Sequence, residues 1–303
     1  MVLAIINKFR ILGFLFNHPL NVKRKARALI RFLLWQIGSR MVPGAVAVNF
    51  VNQCRLLVKP GMTGATGNVY AGLHEFEDMA FVLHLLKKED VFVDVGANIG
   101  SYTMLAGGAV GARCVSIEPI PSTFAHLMDN INLNGLGDRV SALNIGLGEG
   151  NGTLCFTSGF DTINHVVAET DVNTATITVP VKILDDVMLN IEPLLIKIDV
   201  EGFETNVIKG ASKVLSNPTL LAVLMELNGS GQRYGFDESE LHHVMLGYGF
   251  KTYRYLPFER ALISLDGKNY ESGNTLYLRE IDEIRNRVTS SDEFYICNAK
   301  ISL

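Results

Sequence analysis

The first 74 residues contain no aspartate and no glutamate. Ten basic residues lie there (Lys8, Arg10, Lys23, Arg24, Lys25, Arg27, Arg31, Arg40, Arg55 and Lys59), so a chain of formal net charge −4 carries about −14 over its remainder. An acidic total of this kind excludes one broad nucleic-acid surface and confines the positive charge to one end. Cysteine is scarce, and Cys54, Cys114, Cys155 and Cys297 show no paired spacing. That excludes a disulfide framework and reads as reduced thiols of a cytoplasmic protein. There is no Cys/His metal spacing and no Gly-x-Ser-x-Gly elbow, so zinc and serine-hydrolase chemistry have no support and no metal ligands are assigned. A bilayer-spanning run is missing too. Met1 to Phe16 is apolar, but Lys8 and Arg10 interrupt it and it is too short to cross. It also lacks the basic start and small-residue cleavage site of a secretory signal.

What is present is apolar substance: 48% hydrophobic residues over 303 positions, enough for one large domain with an appendage. The organising stretch is Val91-Phe-Val-Asp94-Val-Gly96-Ala97-Asn98-Ile-Gly100. Its first five residues are apolar apart from Asp94, as expected of a strand buried on both faces of a parallel sheet. A glycine loop follows, then a helix from Ser101 to Ala106 that Gly107-Gly108 would stop. A dinucleotide fold needs G-x-G-x-x-G so that backbone can approach a pyrophosphate. Here the pattern is D-x-G-x-x-x-G. An acid beside the loop repels a diphosphate but suits an ammonium group. The next strand, Arg113 to Glu118, ends in a carboxylate placed to accept the hydroxyls of a ribose. Amine, single ribose and no phosphate fit S-adenosyl-L-methionine better than NAD.

The chain then alternates as an α/β domain should. Pro119–Asn134 reads as a helix, Val140–Ile145 as a third strand, and Gly146–Asp185 as a β extension with the Ser158–Val166 loop at its tip. Leu194 to Asp199 is a buried strand followed by Val200-Glu201-Gly202-Phe203-Glu204 and a helix through Leu215. Leu220 to Glu226 is a fifth strand. Asp94, Glu118, Asp199 and Glu226 therefore sit at or near the C-terminal ends of parallel strands, the edge where open α/β sheets bind ligands. Phe250–Leu256 and Asn274–Arg279, with no helix between them, should pair antiparallel. The fold class is α/β: a Rossmann-like, seven-stranded, mostly parallel sheet with an antiparallel C-terminal strand and helices on both faces.

Four motifs taken together, Asp94-Val-Gly-Ala-Asn-Ile-Gly100, Ser116-Ile-Glu118-Pro119, Lys182-Ile-Leu-Asp185-Asp186 and Lys197-Ile-Asp199-Val-Glu201-Gly202-Phe-Glu204, resemble the FkbM family of S-adenosylmethionine-dependent methyltransferases. The resemblance covers roughly residues 70–280. It implies a class I methyltransferase fold and methyl transfer to a hydroxyl of a sugar, glycan or polyketide-type acceptor. By resemblance, Asp94, Gly96, Ala97, Asn98 and Gly100 cradle the methionine end, Glu118 holds the ribose, and the segment around Asn144 lies near the adenine. Asp199 and Glu201 are the general-base candidates, because the loop after the fourth strand borders the transferable methyl in this fold. Alternatives are an NAD-binding Rossmann oxidoreductase and a non-catalytic membrane-surface cofactor-binding module. A base-modifying enzyme is disfavoured, since no proline-aromatic sequence follows the fourth strand and no nucleic-acid partner is expected.

Domain boundaries follow: 1–45 a basic amphipathic helical region, 46–90 a β-rich and helical lead-in, 91–280 the methyltransferase domain, and 281–303 a C-terminal tail. Within the first, Lys23–Ile37 is periodic, with Ala26, Ile30, Leu33 and Ile37 on one side and Arg24, Arg27 and Arg31 on the other. Such a helix either docks its apolar side on the catalytic domain or lies on the inner face of an anionic membrane.

Overall fold

Each apolar run that the sequence marks as a parallel strand is one, and together they supply five of the eight strands of a single sheet. The computed structural model describes residues 11–159, 164–168, 171 and 174–303. Met1 to Arg10 and part of the Ser158–Val166 loop lie outside the described residues. The chain begins with a short helix over 11–17 and a long one, Lys25–Met41. A hairpin of β1 (Val46–Asn49) and β2 (Arg55–Val58) follows, then helices Thr63–Ala71 and Phe76–Leu85. Next come β3 (Val91–Val95), β4 (Arg113–Ile117) and β5 (Val140–Leu143). A side sheet contains β6 (Gly146–Leu147), β7 (Gly152–Thr157) and β8 (Thr176–Lys182). Beyond it lie β9 (Leu195–Ile198), β10 (Ala222–Glu226), β11 (Lys251–Leu256), β12 (Ala261–Ser264) and β13 (Asn274–Leu278). A small pair, β14 (Tyr295–Ile296) and β15 (Ile301–Ser302), ends the chain.

The main sheet runs β12-β11-β13-β10-β9-β3-β4-β5. The five strands from β10 to β5 are parallel, and β13, β11 and β12 are added antiparallel. From β3 the chain winds outward to β4 and β5, then crosses back to β9 and β10. The strand order therefore reverses between β3 and β9, and such a switch point opens a crevice at the carboxyl ends of the strands. Both faces of the sheet are covered. Phe92, Leu195 and Leu224 belong to one core, and their neighbours Val93, Ile196 and Val223 belong to the other. The first core includes both Leu15, in the first described helix, and Leu303.

Four details depart from the sequence reading. The sheet has eight strands, because β12 folds back on β11 through a turn where Arg260 takes φ 48°. This edge strand is half exposed and carries little alternation, which hides it. The helix after Gly100 does not stop at Gly107-Gly108. It continues as a π-helix through Val110, and Gly111 ends it with its N–H bonded to the Ala106 carbonyl. Gly108 is there for packing instead, since a Cβ would stand 2.6 Å from Cys54 Sγ. The helix after Glu204 breaks into Glu204–Lys209 and Ser212–Ser216, where Gly210 presses against the Gly148 carbonyl. The basic helix is longer than expected, and its apolar side faces away from the protein.

Candidate active site

A cavity of about 260 Å³ occupies the switch point. Asp94, Gly96, Ala97, Asn98, Glu118, Asp199, Glu201 and Glu226 line it, together with Lys197, which the sequence reading did not assign. Gly100 and Asn144 stand just outside the lining.

The loop after β3 is built for close approach. Gly96 has φ 77°, and a Cβ there would lie 1.8 Å from the Asp199 carbonyl oxygen, so only glycine lets the β3 and β9 ends meet. The Gly96 and Ala97 N–H groups donate to the Ile117 carbonyl at 3.0 and 2.9 Å, pinning the loop to β4. Asp94 is 1% exposed; its Oδ2 accepts from the Thr103 hydroxyl at 2.7 Å. Its Oδ1 is buried with no hydrogen-bond partner among the described residues. Burial raises its pKa, and Lys197 and Thr103 act against that.

Glu118 is held by two backbone donors, Asn98 N–H to Oε2 and Ile120 N–H to Oε1, both at 2.9 Å. Burial pushes its pKa up to about 7. Asn98, at φ 51°, turns the chain so that its own N–H reaches Glu118. Asn144 donates to the Glu118 and Pro119 carbonyls at 2.8 and 2.9 Å. Its side chain thus braces the loop that carries Glu118, while Ile145 and Gly146 line the cavity beside it.

The opposite wall is acidic with one cation. Lys197, 3% exposed in β9, donates to Asp199 Oδ2 at 2.6 Å and lies 4.8 Å from the Tyr102 ring centre. Burial alone would lower its pKa, but Asp199, Asp94 and Glu75 outweigh burial and hold it above the ordinary lysine value. Tyr102 in turn donates to Glu75 Oε2 at 2.8 Å. A lone lysine inside the apolar run Leu194-Leu-Ile-Lys-Ile was the signal that could have found it, since such a charge is retained only with a partner. Glu201 takes φ 56°, an uncommon conformation for a non-glycine residue, and burial and Asp199 raise its pKa to about 7. Glu204 accepts from the N–H groups of Val200 and Gly202 at 3.1 and 3.2 Å, which orders this loop. Glu226 keeps Oε2 buried and unpartnered among the described residues, and its pKa is pushed up to about 10 by burial and the neighbouring acids. Asp199, Glu201 and Glu226 each place a carboxylate oxygen within 4.8 Å of the others. That spacing suits a divalent cation, although Lys197 already supplies positive charge at Asp199 and burial favours the protonated form of Glu226.

Within the Ser158–Val166 loop, Asn164 lines the cavity. His165 faces Asp171 at 3.2 Å, and Tyr234 donates to the Val166 carbonyl at 2.6 Å, closing the rim over Phe203.

The sheet order, the glycine loop at the switch point and the acid after β4 define a class I methyltransferase fold. The sequence profile of the Methyltransferase FkbM domain matches residues 94–252, more than half of the chain, and the chain belongs to that family. A protein of Beauveria bassiana named Methyltransferase 1 is 28% identical over 159 residues, 45% of this chain and 64% of its own length. Hexuronic acid methyltransferase AglP of Haloferax volcanii is 28% identical over 158 residues, 49% of this chain and 61% of its own length. The matches thus span under two thirds of these curated relatives. Among solved structures, TYW2 of Pyrococcus horikoshii, in complex with MeSAdo, superposes with a TM-score of 0.42 at 17% identity, covering 78% of this chain and 70% of its own. Precorrin-6y C5,15-methyltransferase of Geobacter metallireducens gives 0.39 at 11% identity, covering 68% and 89%.

Proposed function

We propose that the protein is an S-adenosyl-L-methionine-dependent O-methyltransferase acting on a hydroxyl of a sugar, glycan or polyketide-type acceptor. The carrying observation is the meeting, in one crevice, of a ribose-type acid (Glu118), a buried Asp94 oxygen without a partner among the described residues and a carboxylate poised near neutrality (Glu201). The donor set fits the cofactor. Asp94 Oδ1 and the Gly96–Gly100 loop suit an ammonium-bearing methionine end, and Glu118 has lone pairs left for ribose hydroxyls. Bound there, the sulfonium supplies an already activated methyl group, so positioning and proton removal are what the protein adds.

An alkyl or sugar hydroxyl is a poor nucleophile until its proton leaves. Glu201, raised to about 7, accepts that proton with a driving force that a solvent-exposed glutamate lacks. Asp199 is tied to Lys197 and acts in this reading as an acceptor-orienting carboxylate. Glu226, protonated at neutral pH, is a hydrogen-bond donor toward the acceptor. The name of the Haloferax relative supports a sugar as the acceptor class.

The test is calorimetric titration with S-adenosylmethionine, S-adenosylhomocysteine and NAD, repeated for Glu118→Ala. Methyl transfer to uronic-acid-containing and neutral oligosaccharides is then assayed with labelled cofactor. Binding of the two adenosyl ligands but not NAD, lost in the variant, supports the cofactor reading. Absence of that binding in folded protein overturns it.

A further inference from the structure

The long N-terminal helix is turned the wrong way for a soluble protein. Ile30, Leu33, Leu34, Ile37 and Met41 recur at intervals of three and four and so form one stripe. All are open to solvent, Ile30 at 57%, Leu34 at 67%, Ile37 at 61% and Met41 at 77%. The face that docks on the body instead carries Ala28, Trp35 and Ser39. Arg31 also points inward there, donating to the Tyr70 carbonyl at 3.0 Å and to Asn21 Oδ1 at 2.8 Å. Exposing five large apolar side chains in one stripe is unfavourable in water unless something covers it.

Charge says what covers it. Arg27 and Arg40 are exposed on the two flanks of the stripe, Lys23 and Lys25 are exposed at its N-terminal end, and the surrounding sequence holds no acid before Glu75. Beside the stripe a groove of about 650 Å³ combines apolar Ile30, Leu34 and Val42 with Arg24, Arg27 and Lys300. Apolar side chains ringed by cations match the acyl region and phosphates of an anionic bilayer surface. No helix among the described residues is long and apolar enough to cross a membrane, so the contact would be peripheral.

We infer that the exposed face of the Lys25–Met41 helix docks on an anionic lipid bilayer. The groove beside it receives a lipid's chain and headgroup. Helix Thr63–Ala71 separates this surface from the active site. Thr63, Gly64, Ala65 and Asn68 line the crevice, and Val69 lines the groove.

Flotation of the full chain with phosphatidylcholine vesicles, with and without about one third phosphatidylglycerol, tests the inference. Expected is flotation with the anionic vesicles, weakened by salt, and little with phosphatidylcholine alone. Arg27→Gln/Arg40→Gln should lower partitioning about thirty-fold, from two lost charges. Leu34→Gln/Ile37→Gln should lower it comparably. Both pairs lie on the exposed face, and unchanged S-adenosylhomocysteine binding or thermal midpoint shows that the fold is intact. No flotation, flotation insensitive to both pairs, or a dimer in solution that Leu34→Gln/Ile37→Gln dissociates would overturn it.

Discussion

Lys197 Nζ lies 2.6 Å from Asp199 Oδ2, and the lysine is almost wholly buried. Removing one member of such a pair strands the other in a low-dielectric site. Lys197→Met should therefore destabilise the protein by about 3 kcal/mol, read as a lower urea midpoint. The Lys197→Met/Asp199→Asn double variant should recover part of that loss. Additive losses would show that the two side chains do not act as a pair.

Glu201 should set the pH profile. A base must be ionised, and burial places this carboxyl at about 7. Turnover should rise as pH passes through about 7 and level off above it. Glu201→Gln should cost roughly a hundred-fold or more in kcat, with cofactor affinity retained within several-fold. A large loss in Asp199→Asn with Glu201→Gln nearly active would exchange the two roles.

Glu226 gives a stability signature of opposite sense to a salt-bridged acid. Its folded-state pKa lies above the unfolded value of 4.5, so the folded protein holds the proton more tightly. That contribution is full below pH 4.5 and is lost as pH rises toward 10. Above neutrality Glu226→Gln should therefore be more stable than the parent, by a margin that grows up to about pH 10. Thermal midpoints compared at pH 7, 8 and 9 measure it, and a constant or shrinking margin speaks against the assignment.

Gly96 and Gly135 make a matched contrast. Both have positive φ, but a Cβ at Gly96 meets the Asp199 carbonyl at 1.8 Å, and a Cβ at Gly135 meets nothing within 4 Å. Gly135→Ala should cost about 1 kcal/mol, the ordinary penalty for a side chain in the left-handed region. Gly96→Ala should cost more and abolish binding of adenosyl ligands, because β3 and β9 can no longer close. Equal effects of the two substitutions would mean that the close approach is unimportant.

The parts legible in the sequence were those governed by local pattern. Val91–Val95 and Leu195–Ile198 read as strands because burial on both faces leaves a continuous apolar run. Asp94, Glu118, Asp199 and Glu226 read as a set because each lies at or near the end of such a run. What local pattern does not contain is which partner a side chain meets. Lys197 sits in plain view, yet its role comes from Asp199, Asp94 and the Tyr102 ring. Asn144 donates to backbone carbonyls that sequence spacing cannot place. The orientation of the Lys25–Met41 helix was hidden for the same reason. Its docking depends on Arg31 finding the carbonyls of Tyr70, at the end of helix Thr63–Ala71, and of Asn298, in the turn before β15, both far away in the sequence.

Helix Thr63–Ala71 has one side in the crevice and another in the groove beneath the basic helix. Asn68 donates to the Ser101 hydroxyl at 3.2 Å on the crevice side, and two residues later the Tyr70 carbonyl holds Arg31. A ligand that shifts this helix is therefore felt at both of its sides. Were a lipid to occupy the groove, linkage would make that effect reciprocal: whatever factor the lipid applied to cofactor affinity, the cofactor would apply to the affinity for the lipid.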